Sequence, residues 1–182
     1  MMKNLFRLKG YSLIGLVYLG FCLVFTKIFF FKSKLIRFPI HIRTLGKITG
    51  MEGLVTGRSL RIDVHNSGTL HLGKNIQIND NCQISCAKKL IIEDNVLIAS
   101  KVFITDHDHN LSQENNFNFH DISVAPVRIG KNSWIGNNVS ILKGVEIGER
   151  SIVAAGSVVN RSFPDDSIIG GVPAKILKTK KN

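Results

Sequence analysis

The sequence predicts an all-β protein: a parallel β-helix, preceded by an apolar helix and followed by a short basic tail. Three observations predict it. An aliphatic residue returns at six-residue steps as Leu72, Ile78, Ile84, then Ile92, Ile98, Ile104, then Ile129, Ile135, Ile141, Ile147, Val153, Val159. A second small or aliphatic residue often stands two places earlier, as at Leu70, Ile76, Leu90, Val96, Val102, Val127, Val139 and Val145. Gly, Asn or Asp recurs between these pairs, where the chain must turn.

The first element is residues 1–47, a basic and apolar segment. Gly10 to Thr26 carries no charge, and its large apolar residues surround every face of a helix. Lys27 interrupts the run before Ile28-Phe29-Phe30-Phe31 resumes it. A spanning helix needs about 20 apolar residues, a length reached here only if Lys27 snorkels. Lys3, Arg7 and Lys9 flank one end, and Lys32, Lys34 and Arg37 the other. Association with a membrane surface is therefore expected, as one span or as a helix embedded in one leaflet. The basic cluster that follows the run would hold the rest of the chain on the cytoplasmic side. A signal peptide is disfavoured because no small-residue cleavage site follows Phe31.

The second element, residues 48–163, is the repeat. Residues two apart on a strand share a face, so each aliphatic pair points inward and each turn redirects the chain. The aliphatics of the repeat define four triangular coils, and Ile48, Leu54 and Leu60 suggest a further irregular one. One coil cannot bury its own apolar side; stacking makes the core continuous. Unrelated amphipathic strands in a sandwich would not keep this spacing, and no helical period fits. Between residues 105 and 126 the repeat breaks and then returns in register. Such an excursion from a regular solenoid is usually functional. The last element, residues 164–182, begins at the Phe163-Pro164 break, turns at Gly170-Gly171-Val172-Pro173 and ends in a basic tail.

Charge placement narrows the partners. Nine Lys or Arg and no acid fall in residues 1–47, and four Lys and no acid in 174–182, whereas residues 48–173 hold eleven basic and thirteen acidic residues. The net charge of +11 therefore sits at the ends. A nucleic-acid binder needs a basic face on its folded body, so nucleic acid is not expected; basic ends beside an apolar stretch suit anionic lipid. Cys22, Cys82 and Cys86 form no paired framework and read as small buried side chains.

From about Leu70 to its C-terminus the chain resembles the hexapeptide-repeat acyltransferases. Three motifs beyond the repeat carry this: I-T-D-H-D-H at 104–109, W-I-G-N-N-V at 134–139 and G-V-P-A-K at 171–175. They are similar to the galactoside, maltose and polysaccharide O-acetyltransferase branch. The resemblance implies a left-handed winding, a homotrimer, acetyl-CoA as donor and a saccharide acceptor. A cell-surface glycan or its lipid-linked precursor is the expected acceptor, at the cytoplasmic face of a bacterial inner membrane.

The excursion opens with Thr105-Asp106-His107-Asp108-His109. Acetyl transfer to an alcohol needs a base that takes the hydroxyl proton and returns it to the departing thiolate, a task suited to imidazole. The resemblance gives this role to His107. Asp106 or Asp108 would orient its ring, and Asp106 and His109 are also candidate acceptor contacts. The acceptor contact carried over from the sugar enzymes falls on Asn79, otherwise a turn asparagine. The acid these enzymes place a few residues later is missing from Ser85-Cys86-Ala87-Lys88. For acetyl-CoA, Trp134 matches the aromatic that walls the pantetheine groove. Ala155, Gly156 and Ser157 match the close-approach stretch, and Asn160, Arg161 and Lys175 the contacts to the nucleotide end.

Three other readings remain: acetylation of a soluble small molecule such as a free sugar, nucleotide sugar or antibiotic; a non-catalytic scaffold; and a zinc enzyme of the carbonic anhydrase kind. His65, His71 and His120 add to the histidines of the excursion, but none occupies repeat positions that would bring three ligands together, so no metal is expected.

Overall fold

The computed structural model describes residues 11–111 and 117–179. The chain winds as a parallel β-solenoid with three faces. The first face stacks Ile40–Thr44, Leu60–Val64, Gln83–Cys86, Phe103–Thr105, Ser140–Ile141 and Val158–Val159. The second stacks Lys47–Gly50, Thr69–Leu72, Lys89–Ile92, Val127–Ile129 and Glu146–Ile147. The third stacks Val55–Thr56, Gln77–Ile78, Leu97–Ile98, Trp134–Ile135, Ile152–Val153 and Ser167–Gly171.

The predicted aliphatics form the three inner columns. Ile84, Ile104, Ile141 and Val159 stack in register on the first face. Leu72, Ile92, Ile129 and Ile147 do so on the second, and Ile78, Ile98, Ile135 and Val153 on the third. All of them are buried. Each column pairs like with like, which keeps the core uniform in width from rung to rung.

Two expectations are corrected. The early coil exists, but its register is Gly50 beside Leu72, Thr56 beside Ile78 and Ile62 beside Ile84. Ile48 pairs with Leu70 instead, and Leu54 and Leu60 likewise fall one inward position early. Both inward positions of a strand are apolar, so six-residue spacing alone does not distinguish them. The solenoid also begins before residue 48. Ile40–Thr44 pairs with Leu60–Val64, and Leu35 bridges to Val55, so the boundary drawn at 47/48 falls inside a winding. Irregular residues such as Arg37, Pro39 and Arg43 hide that first rung from a search for period.

The corners explain the Gly and Asn of the repeat. Asn75, Asn81, Asn95, Asn132 and Asn138 all adopt positive φ, which asparagine tolerates better than most residues. Their amides also ladder: Asn75 donates to Asn95 at 3.4 Å and Asn95 to Asn132 at 3.2 Å. At Gly148 the constraint is close approach, because a Cβ there would lie 2.3 Å from the backbone nitrogen of Asp165.

The apolar N-terminal run forms a helix, α1, over Leu13–Phe29, capped by the Ser12 hydroxyl accepting from the Gly15 N–H. It covers the open end of the solenoid. Thr26 donates to the Cys22 carbonyl and accepts from the Ile36 N–H at 2.8 Å. The Tyr18 hydroxyl donates to the Phe38 carbonyl, and the Phe25 ring meets the Phe38 ring edge-on at 4.4 Å. Among the described residues no helix is long and apolar enough to cross a membrane. At the other end, Ala174–Thr179 folds back antiparallel on Ser167–Gly171 and pairs the edge of the third face.

Candidate active site

The excursion leaves the coil after Phe103–Thr105 and forms an antiparallel hairpin, His107–Leu111 with Phe117–Val124. Its departure takes backbone away from the corner at Ala87–Lys89, where N–H groups need acceptors. The Asp106 side chain fills that place. Its Oδ1 accepts from the Ala87 N–H at 2.7 Å, and its Oδ2 accepts from Lys88 at 2.8 Å and Lys89 at 2.7 Å. The residue is fully buried. Burial alone would raise its pKa, but the bonds from His107 and the three backbone N–H groups outweigh it and hold the carboxyl at about 2.

His107 is fixed by that carboxylate. Its Nδ1 lies 3.1 Å from Asp106 Oδ1 and 3.2 Å from Thr105 Oγ1. An ionised carboxylate accepts only, so Nδ1 carries the proton in the neutral ring and Nε2 keeps its lone pair. The ring lines a cleft of about 710 Å³, shared with Arg43, Leu45, Arg61, Asp63, Val64, His65, Asn66, Gln83, Ser85, His109 and Ile122. The His65 ring stands edge-on to it at 5.0 Å and His109 at 6.3 Å. Burial first, then the proximity of His107 and Arg43, pushes His65 below the usual histidine pKa, so His65 is a neutral neighbour at physiological pH.

The structure separates the two candidate orienting acids. Asp106 holds the ring; Asp108 is exposed and pairs with Lys143 at 3.0 Å. Asp106 is not an acceptor contact, because both its oxygens are engaged inside the wall. His109 does line the cleft. Asn79 does not: it sits at the corner between the third and first faces, whereas His107 follows the far end of the first face. Its amide oxygen accepts from Gln77 at 3.3 Å.

The predicted donor residues fall in two groups. Trp134 projects from the third face and is half-exposed. Ala155 and Gly156 form an exposed corner just beyond that face, and Lys175 stands beside Gly170 on its edge strand. Ser157 shares this corner, but its hydroxyl is spent inside the fold, donating to the Ala154 carbonyl at 2.6 Å and accepting from the Gly171 N–H. Asn160 and Arg161 follow the first face instead, on the His107 side, with the Arg161 guanidinium 5.4 Å from the centre of the Phe163 ring.

Arg43, Arg61, Asp63 and Ser85 were not anticipated as cleft residues. Of the extra histidines, His65 enters the cleft, and His71 lies on the second face, 3.0 Å from Thr49 Oγ1. The side chain of His120 lies outside the described residues.

A sequence profile described as "Bacterial transferase hexapeptide (six repeats)" matches residues 126–161. The chain is 36% identical over 178 residues to the putative lipopolysaccharide biosynthesis O-acetyl transferase WbbJ of Escherichia coli K12, covering 93% of this chain and 91% of that protein. It is 37% identical over 109 residues to the galactoside O-acetyltransferase of the same organism, covering 60% and 53%. Its fold superposes on the hexapeptide-repeat acetyltransferase VCA0836 of Vibrio cholerae, solved with acetyl coenzyme A, with a TM-score of 0.60 and 31% identity over 83% of this chain and 69% of that one. The coil, the histidine-bearing excursion and these likenesses agree: the chain belongs to the hexapeptide-repeat acyltransferases and is an acetyl-CoA-dependent acetyltransferase.

Proposed function

We propose that the protein acetylates a hydroxyl of a cell-surface saccharide or its lipid-linked precursor, with His107 as general base and Asp106 as the residue that positions it. The observation that carries this is the bond from His107 Nδ1 to a buried, ionised carboxylate, with the ring edge in the cleft. Nε2 takes the acceptor proton as the hydroxyl oxygen bonds to the thioester carbon. When the C–S bond breaks, the same proton passes to the departing thiolate. The nearly full-length likeness to a protein named as a putative lipopolysaccharide biosynthesis O-acetyl transferase supports a glycan acceptor.

In one chain, His107 and Trp134 stand on different faces of the prism. A homotrimer would bring the histidine edge of one subunit against the tryptophan face of the next, with the donor between them.

Membrane attachment at the cytoplasmic face rests on the outer side of α1. Ile14, Val17, Phe21, Val24 and Ile28 recur at steps of three and four and are 57–82% exposed. The opposite side packs on the solenoid, and basic residues flank the run, so α1 lies in the plane of an anionic lipid surface.

The test is acetyl transfer from acetyl-CoA to the surface glycan of the source cell, read by mass spectrometry. His107→Ala is expected to abolish it and His109→Ala to retain it; the reverse pattern would reject His107 as base. Phe21→Ser with Ile28→Ser is expected to release the protein from anionic vesicles without loss of acetyl-CoA affinity. Equal flotation of the variant would reject the in-plane helix.

A further inference from the structure

Four residues stand in register on the outer surface of the first face. Arg43 lies beside Asp63, Asp63 beside Ser85, and Ser85 beside Thr105. They point outward because Ile42, Ile62, Ile84 and Ile104 point in. Paired strands lie about 4.8 Å apart, so this column runs roughly 14 Å from Arg43 to the residue that touches the His107 ring. Arg61 adds a second guanidinium two residues before Asp63.

Both arginines bond Asp63 through Nε, Arg43 at 3.0 Å and Arg61 at 2.5 Å. Their side chains are 70% and 55% exposed, against 7% for Asp63. Burial opposes ionisation of Asp63, but the bonds and charges of Arg61 and Arg43 override it and hold its pKa below the usual carboxylate value. Two guanidiniums thus meet one carboxylate, and this end of the cleft keeps a net positive charge. One arginine would suffice to neutralise Asp63, and solvent-exposed ion pairs contribute little to stability. Structural support alone does not account for the pair.

We propose that Arg43 and Arg61 form a subsite for an anionic group of the acceptor, three rungs from the base. This rests on His107 being that base. It makes the acceptor an extended anionic saccharide rather than a free neutral sugar. Guanidiniums held at Nε present their remaining N–H groups as a fork matched to phosphate or carboxylate oxygens. The anion is either the phosphate of a carrier-linked saccharide or the carboxylate of an acidic sugar. The subsite lies on the first rungs, at the end of the solenoid that α1 covers.

The full-length chain, with its donor site saturated by CoA, is titrated calorimetrically with inorganic pyrophosphate and, separately, with glucuronate. One probe is expected to bind, and Arg43→Gln with Arg61→Gln is expected to weaken it at least ten-fold with CoA affinity unchanged. Tighter pyrophosphate binding identifies a phosphate-bearing acceptor, and tighter glucuronate binding an acidic sugar. No binding of either at millimolar concentration, or equal binding by the variant, overturns the subsite. Should the double variant fail to fold, adding Asp63→Asn removes the orphaned charge and carries the same expectation. The His107→Ala protein is expected to keep the wild-type probe affinity, so this readout stands apart from the identity of the base.

Discussion

Asp106 and His107 are adjacent in sequence but face opposite ways: the carboxylate sits fully buried in the solenoid wall, and the ring it holds at 3.1 Å lines the cleft. The chain leaves the coil at this point, so one aspartate both replaces the missing backbone acceptors and orients the His107 ring. Asp106→Asn keeps the shape, but its NH₂ cannot accept from the N–H groups now bonded to Oδ2. The kcat is expected to fall roughly 10²–10⁴-fold, the scale of a general-base contribution, with acetyl-CoA affinity nearly unchanged. Steady-state kinetics on the variant checks this.

The same carboxylate makes stability depend on acid. Its folded pKa of about 2 lies below the ordinary aspartate value. A group depressed in the folded state contributes stability that is complete above its unfolded pKa and is lost as pH falls through the folded one. The contribution is about 2–3 kcal/mol above roughly pH 4, declining towards pH 2. Urea unfolding at pH 5 and pH 3 is expected to show this decline in the wild type. In Asp106→Asn the slope from this group is absent.

Much of this was legible in the sequence, and what was not has physical causes. The inner columns were readable because Ile and Val recur where nothing else packs, and the loop because the period breaks there. The early register was not, since Ile48 and Gly50 both point inward and spacing cannot choose between them. The place of Asp106 inside the wall was hidden because a loop aspartate next to a histidine reads equally as solvent-facing. The arginine subsite was hidden for another reason. Arg43, Asp63 and Ser85 are 20 and 22 residues apart, and only an outward column counted across irregular early coils brings them together. Trp134 and His107 lie on separate faces of a single chain, a separation that the six-residue spacing alone does not display.

One buried hydroxyl helps to seat α1. Thr26 Oγ1 accepts from the buried Ile36 N–H and donates to the Cys22 carbonyl. Thr26→Val keeps the volume and leaves that N–H without its acceptor, a loss of about 1–3 kcal/mol. A lower melting temperature is expected, together with faster proteolysis of the N-terminal segment while the coil stays protected. Uniform loss of protection along the chain would show that α1 and the coil unfold as one unit.

Gly148 is a corner where geometry leaves no room for a side chain. A Cβ would meet the Asp165 backbone nitrogen at 2.3 Å, and backbone on the next rung cannot rotate away as a side chain tip does. Gly148→Ala is expected to destabilise by about 1–3 kcal/mol through forced displacement. Chemical denaturation beside Gly156→Ala is the control: Gly156 has open space around its Cβ position and pays only for its positive φ of 72°.

A site shared between subunits makes a prediction that a site within one chain does not. On the proposed reading, a trimer of His107→Ala chains would lack the base and a trimer of Trp134→Ala chains would have a weakened donor wall, so each variant alone is expected to turn over poorly at low acetyl-CoA. Unfolded together and refolded, the two variants form mixed trimers. Where a Trp134→Ala chain offers its intact histidine to a His107→Ala chain that offers its intact tryptophan, a complete site is rebuilt. Random mixing makes this about a quarter of the sites for heterologous contacts around a threefold axis. Activity of the mixture well above the mean of the separate variants is therefore expected. Activity equal to that mean would mean that both residues act within one chain, and the donor would then have to bridge the two faces without a neighbour.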